Sequence, residues 1–561
     1  MKTTPIKLVL LAAVSAAASV FAQIPEKAIP VAREKPAEWK NLVPGGQFID
    51  LFEPIPIMQP LTSNAWGGDN VLPRDISNGI EDPAWSYWCG DLVKGEDGRY
   101  HLYTARWPEN HPRGHFAWKE SEVVHAVSDH KMGPFTYQDW VGPGHNTTIY
   151  QTKKGEYLIY CTHSRFYYSN SLDGPWKEGT YIFDQRERYA FKNFVNFAFA
   201  PRDNGSMIAV SRRGYIWVSP DGRDKWYEVS SKPVYPDVPG TFEDPVMWKD
   251  EIQYHIIVND WRGRIAYHLR SLDGFHWKTE PGEAYAPGIA VYEDGTKSDW
   301  YKYERIRMFQ DEHGRPVQAH FAVIDSDKYS DKGSDKHNSK HMIIPLNVQK
   351  LIEVRNNDSI TSDTKRIQVR IKAEEGFNPH TDIDIESLRF GDSVEVNYGR
   401  GGKFVNSRQD GPDLTVTFDG KTSGLTEDNW AGKLLGKTSK GKILYGWARL
   451  PGAEPTVPML SALSPKFEYT PAGLEAYVEV TNFGEMDSPM STVKVLAGKE
   501  GKEQVIAMGS VRALKPFEKS IVRLVCIKNL PRSSKQNTTV VLENADYPTE
   551  VFSKAVVLPG N

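Results

Sequence analysis

The sequence predicts an all-β protein, a five-bladed β-propeller followed by two β-sandwich domains, on three observations. Aromatic residues make up 12% of the 561 residues, alongside 45 Gly and 37 Pro, and helical periodicity is absent almost everywhere. Short runs of Val, Ile, Tyr, Phe and Trp instead end in Gly, Asp, Asn or Pro turns. One such phrase returns at a period near 50 through the first 330 residues, the length of a four-stranded blade.

The elements follow in chain order. Residues 1–22 read as an export signal: Lys2 and Lys7, then the apolar run Leu8 to Ala18, then Val20-Phe21-Ala22 with cleavage before Gln23. Residues 23–350 carry the blade phrase. Its first turn and second strand appear as Asp97-Gly98-Arg99-Tyr100 and as Lys154-Gly155-Glu156-Tyr157. Weaker copies start at Asn204, Asp250 and His313. A later turn appears at Asp173-Gly174, Asp221-Gly222 and Asp273-Gly274, with a degenerate copy near Ser128 to Phe135. The steps from Ser171 to Ser219 and from Ser219 to Ser271 are 48 and 52 residues, and five copies give five blades. A stack of β-sandwiches with fortuitous turns is the alternative. The polar stretch Ser326 to His341 and the strand-like Met342 to Val348 follow the last blade phrase, so residues 23 to about 350 are expected to fold as one unit. Short alternating strands such as Ile367 to Ile371 and Leu414 to Phe418 mark one sandwich at 355–457. Leu474 to Asn482 and Ser520 to Val525 mark another at 458–561.

Composition excludes several functions. Net charge is −4 with both signs mixed, so no basic face addresses nucleic acid. No later segment reaches about 18 uninterrupted apolar residues, so no membrane span is expected. Cys89, Cys161 and Cys526 are isolated, which gives neither a disulfide framework nor a zinc ribbon and leaves Cys89–Cys161 as a possible bridge. No metal or cofactor is expected, and no pattern specifies an oligomeric state.

Residues that open the inner strand of each blade face a shared funnel. Counting back from each turn gives Asp91 on blade one, His145 and Asn146 on blade two, and Asn196 on blade three. Blade four gives Glu243 and Asp244, before Pro245, and blade five gives Glu304 and Arg305. The ends of second strands add Arg106, His163, Arg165, Arg212 and Asp260. Trp85, Tyr87, Trp88 and Trp107 are candidates for stacking on a sugar, though packing between blades explains most Trp in such a fold.

The order of these residues resembles that of the five-bladed glycoside hydrolase families 43 and 117. The resemblance spans roughly residues 75 to 345 and rests on Asp91 before the Asp97-Gly98-Arg99-Tyr100 turn and on Glu243-Asp244-Pro245. It implies a secreted glycosidase, exo-acting and inverting, on a plant or algal oligosaccharide. Asp91 would be the base, Glu243 the acid, and Asp244 a neighbour that raises the acid's pKa. Arg106, Arg212 and Arg305 would bind an acidic sugar. Asn196 departs from the family 43 pattern, where an Asp is usual. Family 117 implies a rival set, Asp244 with His163 or His320 as acid, and Glu81-Asp82-Pro83 competes with Asp91. A non-catalytic carbohydrate-binding propeller is the alternative function. The segments Val480 to Glu485 and Leu514 to Leu524 resemble the immunoglobulin-like adhesion modules of bacterial secreted proteins.

Overall fold

The computed structural model describes residues 29–188, 195–499, 501–544, 547 and 550–560, so the export signal expected at 1–22 lies outside them. Five sheets follow one another along the first part of the chain. The first holds β1 (Trp85–Lys94), β2 (Tyr100–Pro108), β3 (Glu122–Ser128) and β4 (Thr136–Pro143). The second holds β5 (Thr148–Gln151), β6 (Tyr157–Tyr160), β7 (Arg165–Ser169) and β8 (Lys177–Thr180). In the third, β9 (Ile182–Asp184) adds in parallel to the outer edge of β10 (Ala198–Pro201), β11 (Met207–Val210), β12 (Ile216–Ser219) and β13 (Lys225–Glu228). The fourth holds β14 (Phe242–Lys249), β15 (Tyr254–Asp260), β16 (Ile265–Ser271) and β17 (Lys278–Thr279). The fifth holds β18 (Lys302–Gln310), β19 (Pro316–Ile324) and β20 (Ser339–Pro345).

The main strands of each sheet run as an antiparallel meander, and the turns are those the sequence marks. Gly98 and Gly155 sit at φ +82° and +81° in the first hairpins of two blades, a conformation that side chains resist. The inner strands touch in the cycle β1, β5, β10, β14, β18 and back to β1, which makes a propeller around one shaft. The last blade has three strands of its own, and the N-terminal segment latches onto it. Ile80 bridges His341 and Phe52 bridges Leu346, while the Asn78 side chain donates to the Ile343 carbonyl at 2.8 Å and accepts from its amide at 2.9 Å. Large aromatics such as Trp107, Trp217, Trp226 and Trp300 are fully buried in the blades. The polar stretch at Ser326 lies inside the last blade, as the connection between β19 and β20, rather than after it.

Beyond the propeller, one seven-stranded sheet takes the place of two facing layers. Its spatial order is Ile352–Val354, Arg366–Ile371, Asp413–Asp419, Gly402–Asp410, Ile383–Gly391, Ala431–Thr438 and Ile443–Arg449. A bulge between Asp384 and Arg389 bends the fifth of these, and the first and last strands come into contact, so the sheet curls around its own core. The final segment does form two four-stranded sheets over a shared apolar core, with Gly473–Asn482 central in one and Ser491–Ala497 in the other.

The expected independence of residues 23–350 is at odds with the packing. Leu435, Tyr445 and Trp447 of the curled sheet belong to the same buried cluster as Phe48, Leu51 and Trp248 of the propeller. Arg270 pairs with Glu280 at 2.6 Å, and Glu280 accepts from Ser393 at 2.9 Å and from Asn397 at 3.0 Å across the junction. The last domain packs Phe483 into the core of blades three and four, where Arg202 donates to the Phe483 carbonyl at 2.9 Å. Cys89 and Cys161 are both buried and free, not bridged.

Candidate active site

Every inner strand enters the shaft through one left-handed residue. Cys89, Asn146, Asn196, Asp244 and Arg305 have φ between +50° and +57°, at matching places on the five blades. On blades one, four and five this residue begins a bulge in which two residues oppose one, between Trp88 and Asp91, Glu243 and Val246, and Glu304 and Arg307. Pro245 is tolerated in the blade-four bulge because the extra residue owes no ladder hydrogen bond. The bulges sort the shaft into levels. Trp88, His145, Glu243 and Glu304 stand at the mouth, the five left-handed residues form the next level, and Asp91, Thr148 and Arg307 lie below them.

The second level is a hydrogen-bonded ring that feeds the mouth. Arg305, fully buried, reaches Asp244 at 3.3 Å and the Asn146 carbonyl at 3.1 Å. The Asn146 amide donates to Asn196 Oδ1 at 2.7 Å, and Asn196 Nδ2 donates to Glu243 Oε1 at 3.0 Å. Arg212 meets the same oxygen at 3.1 Å. Glu243 and Glu304 both line a cavity of about 140 Å³, with Lys302, Lys328, Phe116 and Tyr329. Lys328 bonds Glu304 at 2.5 Å and stands 4.8 Å over the Trp88 ring.

The surroundings drive these two carboxylates apart. Burial pushes Glu243 up to about 7, assisted by the Asp244 charge and opposed by Arg212. Burial acts upward on Glu304 as well, but Lys328 and Lys302 outweigh it and hold Glu304 below the usual carboxylate range. Asp244 is raised by burial, against the pull of Arg305. One carboxyl thus holds a proton near neutral pH while its neighbour is ionised, the division of labour that acid–base chemistry uses.

Several expected site residues stand elsewhere. Asp91 accepts from the Ile149 amide at 3.1 Å and lies 3.9 Å from Arg307, two levels below Glu243, and burial raises it to about 6. Cys89, not Asp91, occupies the level of Asp244. Asp260 is fully buried and held by Arg33 and by the Thr241 amide at 2.8 Å. Arg106 is committed to Glu122 at 2.8 Å and sandwiched 3.9 Å from Trp85 and 4.4 Å from Tyr137. Tyr87, Trp88 and Trp107 are buried. His145 and His163 line a separate cleft of about 530 Å³ with Trp118 and Arg165, on the same face. His145 bonds Ser121 at 3.0 Å, and burial holds its pKa well below that of a free imidazole. His320 is buried, bonded to Gln318 at 2.8 Å and His341 at 3.1 Å, and burial lowers it to about 3. Lys328 and Tyr329 were missed because their loop reads as a trailing segment. The signal was present, since second strands end at the funnel and β19 delivers this loop there.

No protein-family profile matches the chain, and no curated protein does. Among solved structures it is similar to a family 117 glycoside hydrolase produced by the marine bacterium Zobellia galactanivorans, at 13% identity and TM-score 0.32, covering 47% of this chain and 86% of that one. It is similar to an α-L-arabinofuranosidase from Lactobacillus brevis at 12% identity and TM-score 0.32, over 47% of this chain and 92% of that one. A GH43 glycoside hydrolase engineered for endo-xylanase and exo-arabinofuranosidase activity gives 12% identity and TM-score 0.33, over 86% and 93%. Likeness of this degree carries no chemistry, which rests on the side chains. Among the described residues, no helix is long and apolar enough to cross a membrane.

Proposed function

We propose that this protein is a secreted glycoside hydrolase in which Glu243 is the general acid and Glu304 the ionised carboxylate that activates water. The observation that carries the reading is one cavity lined by Glu243, Glu304 and Asp327, in which Glu243 and Glu304 have opposite protonation tendencies. Breaking an acetal needs a proton for the leaving oxygen and a base for the attacking water. Glu243 supplies the first, and the Asn146–Asn196 amide chain fixes its orientation. Glu304, held by Lys328, supplies the second. Asp91 is given a positioning role, because its partners are Arg307 and a blade-two amide.

The cavity, of about 140 Å³, suits one terminal sugar ring and so an exo-acting enzyme. The wider cleft at His145 and His163 would take the remainder of an oligosaccharide of plant or algal origin. We assign the inverting course, in which water enters between acid and base. Glu243→Gln tests the assignment. It should cut hydrolysis of natural glycosides by about 10² to 10⁴-fold yet act mildly on substrates with activated leaving groups, which need little protonation. Equal losses on both substrate types, or none on either, would refute the acid role, and the second result would turn the reading to a propeller that binds sugar without cutting it. Following the anomer first released by NMR checks inversion.

A further inference from the structure

Two connections roof the candidate active site, 109–121 between β2 and β3 and 325–338 between β19 and β20. They meet backbone to backbone. A side chain at Gly114, where φ is +51°, would strike the Asp331 carbonyl at 2.1 Å, and one at Gly333 would strike the His111 carbonyl at 2.4 Å. The Ser334 amide donates to the Glu109 carbonyl at 3.1 Å. From the two sides of this seam, Glu109, Asp331 and Asp335 each bring a carboxylate oxygen within 4.8 Å of the other two.

Two of these carboxylates, Glu109 and Asp331, are deeply buried and short of donors. Glu109 is 7% exposed and Asp331 1%. Glu109 Oε1 and both Asp331 oxygens lack a hydrogen-bond partner, whereas Asp335 accepts from the Lys332 and His337 amides at 2.8 Å each. The Ser86 hydroxyl bonds the other oxygen of Glu109. The His115 amide lies near enough to Asp331 to draw its pKa down, but meets hydrogen-bond geometry at neither oxygen. Among the described residues, no Lys, Arg or His forms an ion pair with Glu109 or Asp331.

The geometry points to a divalent cation site, of the calcium class, at Glu109, Asp331 and Asp335, stapling the two roof connections together. Oxygen-only, carboxylate-rich ligands on irregular loops suit a hard cation that tolerates flexible coordination, which favours calcium over magnesium. A cation answers all three open oxygens together. Its structural effect falls on the cavity, because Phe116 and Tyr329, whose rings stand 4.7 Å apart, come from the two stapled connections, and Lys328 precedes Asp331 by three residues.

The test uses the full-length secreted protein, stripped with EDTA and desalted, then titrated with CaCl₂ by calorimetry and followed by thermal melting. Calcium should bind and raise Tm, and the Glu109→Gln/Asp331→Asn double variant should lose one bound calcium per chain. Should that variant misfold, Asp335→Asn keeps the test open: its calcium affinity should fall by about tenfold or more. A wild-type Tm unmoved by CaCl₂, or variants that bind calcium as wild type does, would overturn the site and leave a protonated carboxyl pair. Neither readout depends on the glycosidase assignment.

Discussion

Ending the chain at residue 350 should cripple the propeller rather than release it. Phe48, Leu51 and Trp248 pack against Leu435, Tyr445 and Trp447, so the cut exposes three large apolar side chains on the propeller side alone. Each is worth about 1.5–3 kcal/mol when buried, or about 5–9 kcal/mol together. Allowing for burial that survives the cut and for a compact unfolded state, roughly half of that is lost. A domain's total stability is about 5–15 kcal/mol, so the loss is a large share of it. Polar terms add to the damage, since Glu280 gives up Ser393 and Asn397. The assay is circular dichroism and urea unfolding of residues 29–350 beside the full chain. A soluble fragment whose melting stays within about 5 °C of the full chain would refute the argument, because even a 2 kcal/mol loss lowers Tm by about that much.

Four further outcomes are expected. The pH profile of kcat/KM should be bell-shaped: activity falls above about 7 as Glu243 loses its proton, and falls in acid, below the ordinary carboxylate range, as Glu304 gains one. Arg212→Met should move the alkaline limb up by about one pH unit, because a charge-assisted contact at a partly exposed Arg lies at the low end of about 1.5–3 kcal/mol, and an unmoved limb would deny Glu243 that proton. Asp91→Asn should lower Tm while keeping kcat/KM within about tenfold, and a larger kinetic loss at full folding would return the base to Asp91. In chelator, stability should decline as pH rises from about 4, where Glu109 and Asp331 titrate when unfolded, to about 8, where they titrate when folded, and added calcium should flatten that decline in urea titrations.

The sequence made the hairpins legible and the levels of the shaft illegible, for one physical reason each. A turn such as Asp97-Gly98 is local, since a left-handed φ selects glycine whatever surrounds it. Counting back along β1 from that turn arrives at Asp91, but the bulge after Trp88 inserts a residue, and Cys89 takes the level that Asp244 has on blade four. Glu243 precedes the same bulge on blade four as Trp88 does on blade one, and it was found from the Glu243-Asp244-Pro245 phrase itself. Lys328 escaped because its loop reads as a trailing segment, and the Glu109–Asp331–Asp335 cluster because Glu109 lies far from its partners in sequence and only the meeting of the first and last blades brings them together.

The left-handed residue one level below the mouth on each inner strand also limits how this fold can change. Asn and Asp accept that backbone state more readily than other side-chain-bearing residues, and three of the five places hold one of them. Exchanging amide for carboxylate at Asn146, Asn196 or Asp244 therefore leaves the local backbone undisturbed while altering the charge at the centre of the molecule. Negative charge can migrate from blade to blade by single substitutions, each compatible with the same scaffold. The charge of the shaft can then change in small steps without passing through an unfolded ancestor.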